Sequence, residues 1–384
     1  MLVSVIIPVF QKEEVFFHCF TTLLRYLTIN TELIIINDGS GKHVAATVER
    51  CLAEAKSERV VRVEMIEHEY PKGTVDALNK GFREATGDVV VLCDSDVFFD
   101  GPWMEAVLDL LERDEVGAVG GVLTYPQTGG IQCCGLTFNS DTARHLMLNN
   151  DPAALPAAPF PVQAQIFALC AMRADVIRKV GPLDRQYFNG YEDLDFQMRI
   201  RALGLEIYTH PKVRAFHWER SNGVHRTLNR KRNLGRFWRM HGHRVETDLW
   251  RYLESNIKKF LDDGNSGGRH YRLVDLCEDR VESHELRGQL MDNQWFHITD
   301  IKDVSHAVSG IEEIWLPQVL GVDEHRNQQP FIFLVQNFVR LLGNRYWIEA
   351  RQRIQPGDVI IDLYANVISV NELLSSCWPG NKVR

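Results

Sequence analysis

A valine-rich run that ends in two acids, Gly87-Asp88-Val89-Val90-Val91-Leu92-Cys93-Asp94-Ser95-Asp96, constrains this chain more than any other stretch. It is short, β-branched and bounded by a glycine and by carboxylates, so it reads as a buried strand. The acids then stand at its carboxyl end, where open α/β sheets bind ligands. Two carboxylates one residue apart repel each other unless a cation lies between them. A divalent metal with oxygen ligands, holding a diphosphate as well, is the occupant this chemistry favours.

The preceding sequence repeats one pattern. Val3–Val9 is an apolar strand closed by Pro8 and the polar Gln11-Lys12, and Glu13–Leu27 follows with Val15, Phe16, Cys19, Leu23 and Leu27 on one helical face. Leu33–Ile36 is a second buried strand, stopped by Asn37-Asp38-Gly39-Ser40, and Val44, Val48 and Leu52 mark another helix. Val60–Ile66 is a third strand, and Val75, Leu78 and Phe82 line a helix that Gly87 terminates. This alternation predicts an α/β fold of βαβ units, with a mostly parallel sheet flanked by helices. After Gly101 the pattern loosens. Helices are expected at Trp103–Leu111, Ala174–Val180 and Asp193–Leu203, and strands at Ala118–Tyr125 and Val213–Phe216. Residues 139–161, rich in Ala, Asn, Asp and Pro, read as a mobile loop.

A chain of 384 residues has room for one large core and a smaller unit. Its net charge of −8 speaks against a general nucleic-acid binder. The eight cysteines include the adjacent Cys133-Cys134 and suit neither a disulfide scaffold nor a redox pair. Cys19, Cys93 and Cys170 read as small core residues. Met1-Leu2-Val3-Ser4-Val5 lacks a basic leader, and no apolar run approaches the roughly 20 residues of a bilayer span, so a cytoplasmic location is expected.

Against the acidic balance, residues 226–244 concentrate Arg226, Arg230, Lys231, Arg232, Arg236, Arg239 and Arg244, with Leu228, Leu234, Phe237 and Trp238 interleaved. This is either an amphipathic helix with a solvated face or a patch for phosphates or anionic lipid headgroups, which would make the protein peripheral to the inner face of a membrane. His241 and His243 read as surface histidines. Asp263-Gly264-Asn265-Ser266-Gly267-Gly268 has the composition of a linker. Beyond it, Trp295, Phe296, Ile314, Trp315 and Phe331–Val335 imply a second folded unit.

Four patterns occur in order: Val5-Ile6-Ile7-Pro8-Val9-Phe10; Ile35-Ile36-Asn37-Asp38-Gly39-Ser40; Ala77-Leu78-Asn79-Lys80-Gly81-Phe82 running on to the Asp94/Asp96 pair; and Gly190-Tyr191-Glu192-Asp193-Leu194-Asp195 with His217 downstream. With Met172-Arg173-Ala174, Val180-Gly181-Pro182-Leu183-Asp184 and Asn233–Gly242, they resemble the family-2 glycosyltransferases, inverting enzymes of the GT-A fold. The resemblance covers roughly residues 3–240. It implies a catalytic domain over 1–245, with a nucleotide-binding half at 1–100 and an acceptor half at 101–245. A smaller accessory region at 246–384 would bind acceptor or self-associate.

The resemblance implies roles as well. Phe10 would stack on the nucleobase, with Pro8 and Val9 shaping that wall, and Asp38 would accept a hydrogen bond from the base. Asn79 would sit near base or ribose. Asp94 and Ser95 would contact the sugar nucleotide. Asp96 would ligate the metal, with Asp94 and His217 completing the set. Gln11 stands where an Asn is common, and Asn37 where an Asp is common. The implied reaction moves a sugar from a nucleoside-diphosphate donor, UDP-linked, to a hydroxyl of a glycan or lipid-linked saccharide, in cell-surface polysaccharide or glycoconjugate synthesis.

Such a reaction needs a cation for the leaving diphosphate and a carboxylate base for the acceptor hydroxyl. Carboxylate ligands suit Mg²⁺ or Mn²⁺, and an imidazole tilts the choice toward Mn²⁺. Asp193 is the expected base, with Glu192 and Asp195 as alternatives. Glu192 at a helix start also simply complements the helix dipole. Two other readings stay open: a catalytically inactive sugar-nucleotide-binding scaffold, and a nucleotidyltransferase on a related sheet. The second would want a glycine-rich basic turn after the first strand, where this chain has Gln11-Lys12-Glu13-Glu14. Finally, Arg353–Asp362 resembles the start of the first cofactor-binding strand of class I methyltransferases. Leu363-Tyr364-Ala365-Asn366 then replaces the glycines such a turn needs, so a truncated segment or coincidence is expected.

Overall fold

A computed structural model describes residues 1–55, 57–138, 142–218, 224–262, 270–275, 277, 280–292, 296–303, 330–335, 338 and 357–370. The chain divides into two units, Met1–Leu136 with Asp151–Val245, and Thr137–Asn150 with Glu246–Arg384.

The first unit opens with β1 (Val3–Val9), α1 (Glu13–Arg25), β2 (Thr31–Asp38), α2 (His43–Ala55), β3 (Val60–His68) and α3 (Thr74–Glu84). β4 (Val89–Cys93), β5 (Val97–Phe99), α4 (Met104–Leu111), β6 (Val116–Thr124) and β7 (Ile131–Cys133) follow. β8 (Leu136–Phe138) leads into the segment that belongs to the second unit, which also carries β9 (Ala143–His145). The first unit resumes with a 3-10 turn at Pro152–Ala154, β10 (Phe160–Val162), β11 (Leu169–Arg173), α5 (Ala174–Val180), α6 (Glu192–Arg201), β12 (Glu206–His217) and α7 (Val224–His241).

One large sheet has the order β10-β12-β6-β11-β4-β1-β2-β3, with β5 on β12 and β7 on β6. β4, β1, β2 and β3 are mutually parallel, as are β6 and β12. β11 runs antiparallel to both β4 and β6. β6 and β12 therefore point the same way as β4, and the carboxyl ends of all these strands share one edge. β2 and β4 are buried at every position because helices cover both faces. α1 buries Phe16, Cys19, Phe20, Leu23 and Leu24, an i, i+3, i+4 stripe. α3 lies so close over β1 that a Cβ at Gly81 would fall 2.4 Å from Ile6 Cγ2.

At the opposite edge Glu32 cross-links three segments. It is buried, and its carboxylate accepts from Ser4 Oγ at 2.5 Å, Thr86 N at 2.6 Å and Arg62 Nη1 at 2.9 Å. Burial raises its pKa, but these donors outweigh that and hold it below the usual carboxylate range.

Several sequence expectations change here. Residues 142–161 are not a structureless loop: β9, the 3-10 turn and the start of β10 lie in them, and β10 pairs with β12. Strands of three residues carry no readable periodicity, and long-range pairing orders them. Residues 139–141 lie outside the described residues. β11 escaped notice because Leu-Cys-Ala-Met-Arg holds no β-branched residue. β12 runs from Glu206, well before Val213, because its outward positions Glu206, Lys212 and Arg214 are charged.

In the second unit, α8 (Leu249–Asp262) buries Leu249, Leu253, Ile257 and Phe260. β13 (His270–Asp275), α9 (Arg280–Asp292), β14 (His297–Asp303), β15 (Phe331–Val335), β16 (Val359–Asp362) and β17 (Val367–Ser369) follow. Their sheet order is β14-β13-β15-β16-β17, parallel except for the last pair. The inserted segment is tied in by Asp248, whose Oδ1 accepts from Thr137 Oγ1 and Phe138 N. The supposed linker 263–268, with Trp295, Ile314 and Trp315, lies outside the described residues. Of the methyltransferase-like stretch, Val359–Asp362 forms β16, and residues 353–356 lie outside the described residues. Asp362 at its end is buried and accepts from Phe338 N, Tyr364 N and Asn366 N. The chain then doubles back into antiparallel β17, so this carboxylate closes a tight reversal.

Replacing Glu32 with Ala should lower stability by about 3 kcal/mol in urea unfolding, because buried amides lose their acceptor. Since its folded pKa lies below the unfolded 4.5, its contribution is present above that pH and lost as pH falls through the folded value. Glu32→Gln should flatten this acid limb.

Candidate active site

The acidic pair sits in a tight turn. Val97 N donates to Asp94 O at 3.2 Å, closing Asp94-Ser95-Asp96-Val97 and turning both carboxylates to one side. Asp94 N donates to Ala168 O at 2.9 Å, which anchors the turn to the residue before β11. β5 then pairs with β12 in a register that sets Val97 against His217, and Trp218 N donates to Asp96 O. That register delivers His217 Nε2 to 3.1 Å from Asp96 Oδ1 and 4.0 Å from Asp94 Oδ2. One ligand atom from each of the three residues lies within 4.8 Å of the others. Asp94 is 41% exposed, while the other two side chains are 11% exposed.

Metal–ligand bonds of about 2.1 Å at right angles would separate neighbouring donors by about 3 Å. The His217–Asp96 spacing fits such a cation, and Asp94 lies within 4.8 Å of both. Two further side chains complete the surroundings, neither of them singled out by sequence. His217 Nδ1 donates to Gln132 Oε1 at 2.6 Å. Lys12 Nζ lies 3.7 Å from Asp96 Oδ2. Gln11 and Lys12 both have φ of 57°, a left-handed backbone that costs about 1–3 kcal/mol per residue outside glycine. Ser40 Oγ, accepting from Gln11 N at 2.7 Å, holds this bend in place. The Cys19 and Cys93 thiols donate to Asp94 O from beneath. The Cys19 contact and burial hold the Cys93 thiol well above its usual range, so both behave as core.

The carboxyl edge of β1 to β3 supplies the next wall. Phe10 projects beyond β1 and is 47% exposed, whereas Val9 beside it is buried and Pro8 half-buried. Val9 thus offers its backbone rather than its side chain. Asp38 is buried, and its Oδ1 accepts from His68 Nδ1 at 2.7 Å and Lys72 N at 2.8 Å, its Oδ2 from Gly73 N at 2.8 Å. It therefore braces the 68–73 turn as well as facing the edge. Tyr70 on that turn is 62% exposed. Asn79 is buried and exchanges two hydrogen bonds with the backbone of Leu183. These bonds use one N–H and one oxygen lone pair of the amide to brace the 183 segment. Ser95 is half-buried in the acidic turn.

α6 begins with three carboxylates that the structure separates. Glu192 is buried and folds back to accept from Gly190 N at 2.5 Å. Asp195 is buried between Arg199, at 2.9 Å, and His241 Nε2, at 2.8 Å. Burial raises the Asp195 pKa, but the His241 hydrogen bond and the Arg199 charge reverse this and hold it low. Asp193 is half-buried, with Oδ1 accepting from Leu194 N at 2.9 Å. Burial, with the Asp193 charge added, pushes the Cys170 thiol up.

The approach to α6 is strained: Asn189, Gly190 and Tyr191 have φ of 51°, 129° and 71°. Asn233 of α7 pins it by donating from Nδ2 to Phe188 O and Gly190 O. His241 is thus a correction. It is buried rather than on the surface, because it answers the Asp195 charge, while His243 is exposed. Arg236 is also withdrawn from the basic face by its ion pair with Asp184.

This architecture, with its site at the carboxyl edge, is that of the GT-A glycosyltransferases. Residues 4–180 match the family model described as glycosyl transferase family 2. Relatives include an uncharacterized glycosyltransferase of Haemophilus influenzae, 24% identical over 205 residues, which are 53% of this chain and 61% of that protein. The uncharacterized protein y4gI of Sinorhizobium fredii is 27% identical over 60% of this chain and 26% of its own length. The chain thus spans between a quarter and two thirds of these relatives. Among solved structures, GalNAc-T7 with UDP, GalNAc and Mn²⁺ superposes with a TM-score of 0.51 and 16% identity, covering 69% of this chain and 54% of that one.

His241→Ala should strand Asp195 with Arg199 alone and lower stability by about 3 kcal/mol in urea unfolding. His241→Gln, which can still donate to the carboxylate, should recover more than half of that loss.

Proposed function

We propose that this chain is a metal-dependent inverting glycosyltransferase. It moves a sugar from a nucleoside-diphosphate donor, UDP-linked, to a hydroxyl of a glycan or lipid-linked saccharide in cell-surface polysaccharide or glycoconjugate synthesis. The observation that carries this reading is the Asp94–Asp96–His217 cluster in a chain whose residues 4–180 match the family-2 model. Structures with this fold include one bound to UDP and Mn²⁺, which supports the choice of donor and cation.

Asp96, Asp94 and His217 would hold Mn²⁺ or Mg²⁺. Such a cation supplies charge neutralisation for the departing diphosphate. Phe10 stacks on the nucleobase and Asp38 accepts from it, with Pro8, the Val9 backbone and Ser95 lining the same slot. Asp193 accepts the proton of the acceptor hydroxyl as its oxygen attacks the anomeric carbon. The bond from that carbon to the diphosphate oxygen breaks, the nucleoside diphosphate leaves, and the configuration inverts. Asp193 is preferred over its neighbours because Glu192 and Asp195 are buried, whereas Asp193 is half-buried.

Among the described residues no helix is long and apolar enough to cross a membrane. We place the protein in the cytoplasm. Arg230, Lys231, Arg232 and Arg239, exposed on α7, would supply contact with anionic headgroups at the membrane. The second unit would bind acceptor or self-associate.

A panel of sugar nucleotides with Mn²⁺ should show slow release of free UDP from one donor, stopped by EDTA. Asp96→Ala should abolish the metal dependence of donor binding. Asp193→Asn should keep donor affinity and lower transfer by about 10²–10⁴-fold. Full activity of Asp193→Asn with a competent acceptor would sink the base assignment.

A further inference from the structure

We propose that Gln132 positions the metal site, holding His217 in the one tautomer that aims the Nε2 lone pair at the cation and thereby favouring Mn²⁺ over Mg²⁺. The inference rests on the reading of Asp94, Asp96 and His217 as metal ligands.

Gln132 is the middle residue of β7 and is 1% exposed. β7 pairs with β6 through Leu123↔Cys133 and Thr124↔Ile131, with a register shift between them. Two steps along β7 therefore match one step along β6, and Gln132 is the extra residue of a β-bulge. Bulges re-aim a side chain and occur beside active sites. This one turns the amide toward His217, which follows Phe216, itself paired with Thr124. Gln132 Oε1 and His217 Nδ1 are 2.6 Å apart.

An amide oxygen can only accept, so the proton of this bond lies on Nδ1. A neutral imidazole with its proton on Nδ1 has its lone pair on Nε2. That nitrogen faces Asp96 Oδ1 at 3.1 Å and Asp94 Oδ2 at 4.0 Å, where a cation would sit. The opposite tautomer would aim an N–H at the same point and could not ligate. A lone pair fixed there adds a nitrogen donor to two carboxylates, and nitrogen donors favour Mn²⁺ over the harder Mg²⁺. Partners of this kind behind a ligating histidine typically change metal affinity by 10–100-fold.

The test uses the full chain freed of metal, with Mn²⁺ alone titrated by electron paramagnetic resonance of the free ion and Mg²⁺ by competition. Nitrogen-15 NMR of labelled histidine reads the His217 tautomer directly. Asp96→Ala must abolish Mn²⁺ binding; if it does not, the metal-site reading falls and this inference with it. Gln132→Leu should weaken Mn²⁺ by about 10–100-fold and Mg²⁺ by less than about threefold, with the Nδ1–H signature lost. Gln132→Glu, which still accepts from Nδ1–H, should restore Mn²⁺ affinity. A folded Gln132→Leu that binds Mn²⁺ like the parent would overturn the proposal alone. So would equal losses in the Leu and Glu variants, since shape rather than the acceptor oxygen would then matter.

Discussion

Two carboxylates and an imidazole meet at one strand end because β5 lies against β12 with Val97 opposite His217. A shift of one residue in that pairing would send the imidazole to the other face of the sheet. The acidic turn supplies mutual repulsion, and the register supplies a third donor at the point where a cation would relieve it. The surrounding structure serves this convergence. The antiparallel β11 lets β6 and β12 run with β4, so that segments more than a hundred residues apart end on the same edge.

The same edge is bounded by strained backbone on both sides. Gln11 and Lys12 bend away from β1, and Asn189 to Tyr191 bend into α6. Each bend is held by a side chain from a distant segment, Ser40 in one case and Asn233 in the other. Strain of this kind persists only where neighbours over-determine it. α7 therefore has a structural role beyond its charge: through Asn233 and His241 it fixes the start of α6, and with it the orientation of Asp193.

Much of this was legible in the residues. The βαβ rhythm from Val3 to Cys93, the acids at a strand end and the helix opening at Glu192 all follow from short-range pattern. Less legible were strands whose order comes from partners rather than periodicity. β11 has no β-branched residue, and β9 and β10 are three residues long. The bracing roles of Asn79 and His241 were equally hidden. An amide that grips Leu183, or an imidazole that answers Asp195, looks in sequence like any other polar side chain on a helix.

Sequence alone determined the class of the first unit and the chemistry available to it, because hydrophobic period and the placement of paired acids are local properties. Tertiary structure decided which of Glu192, Asp193 and Asp195 is half-buried rather than buried, and that Gln132 stands behind His217. Those outcomes depend on strand register and on contacts between residues far apart in the chain, which no local pattern encodes.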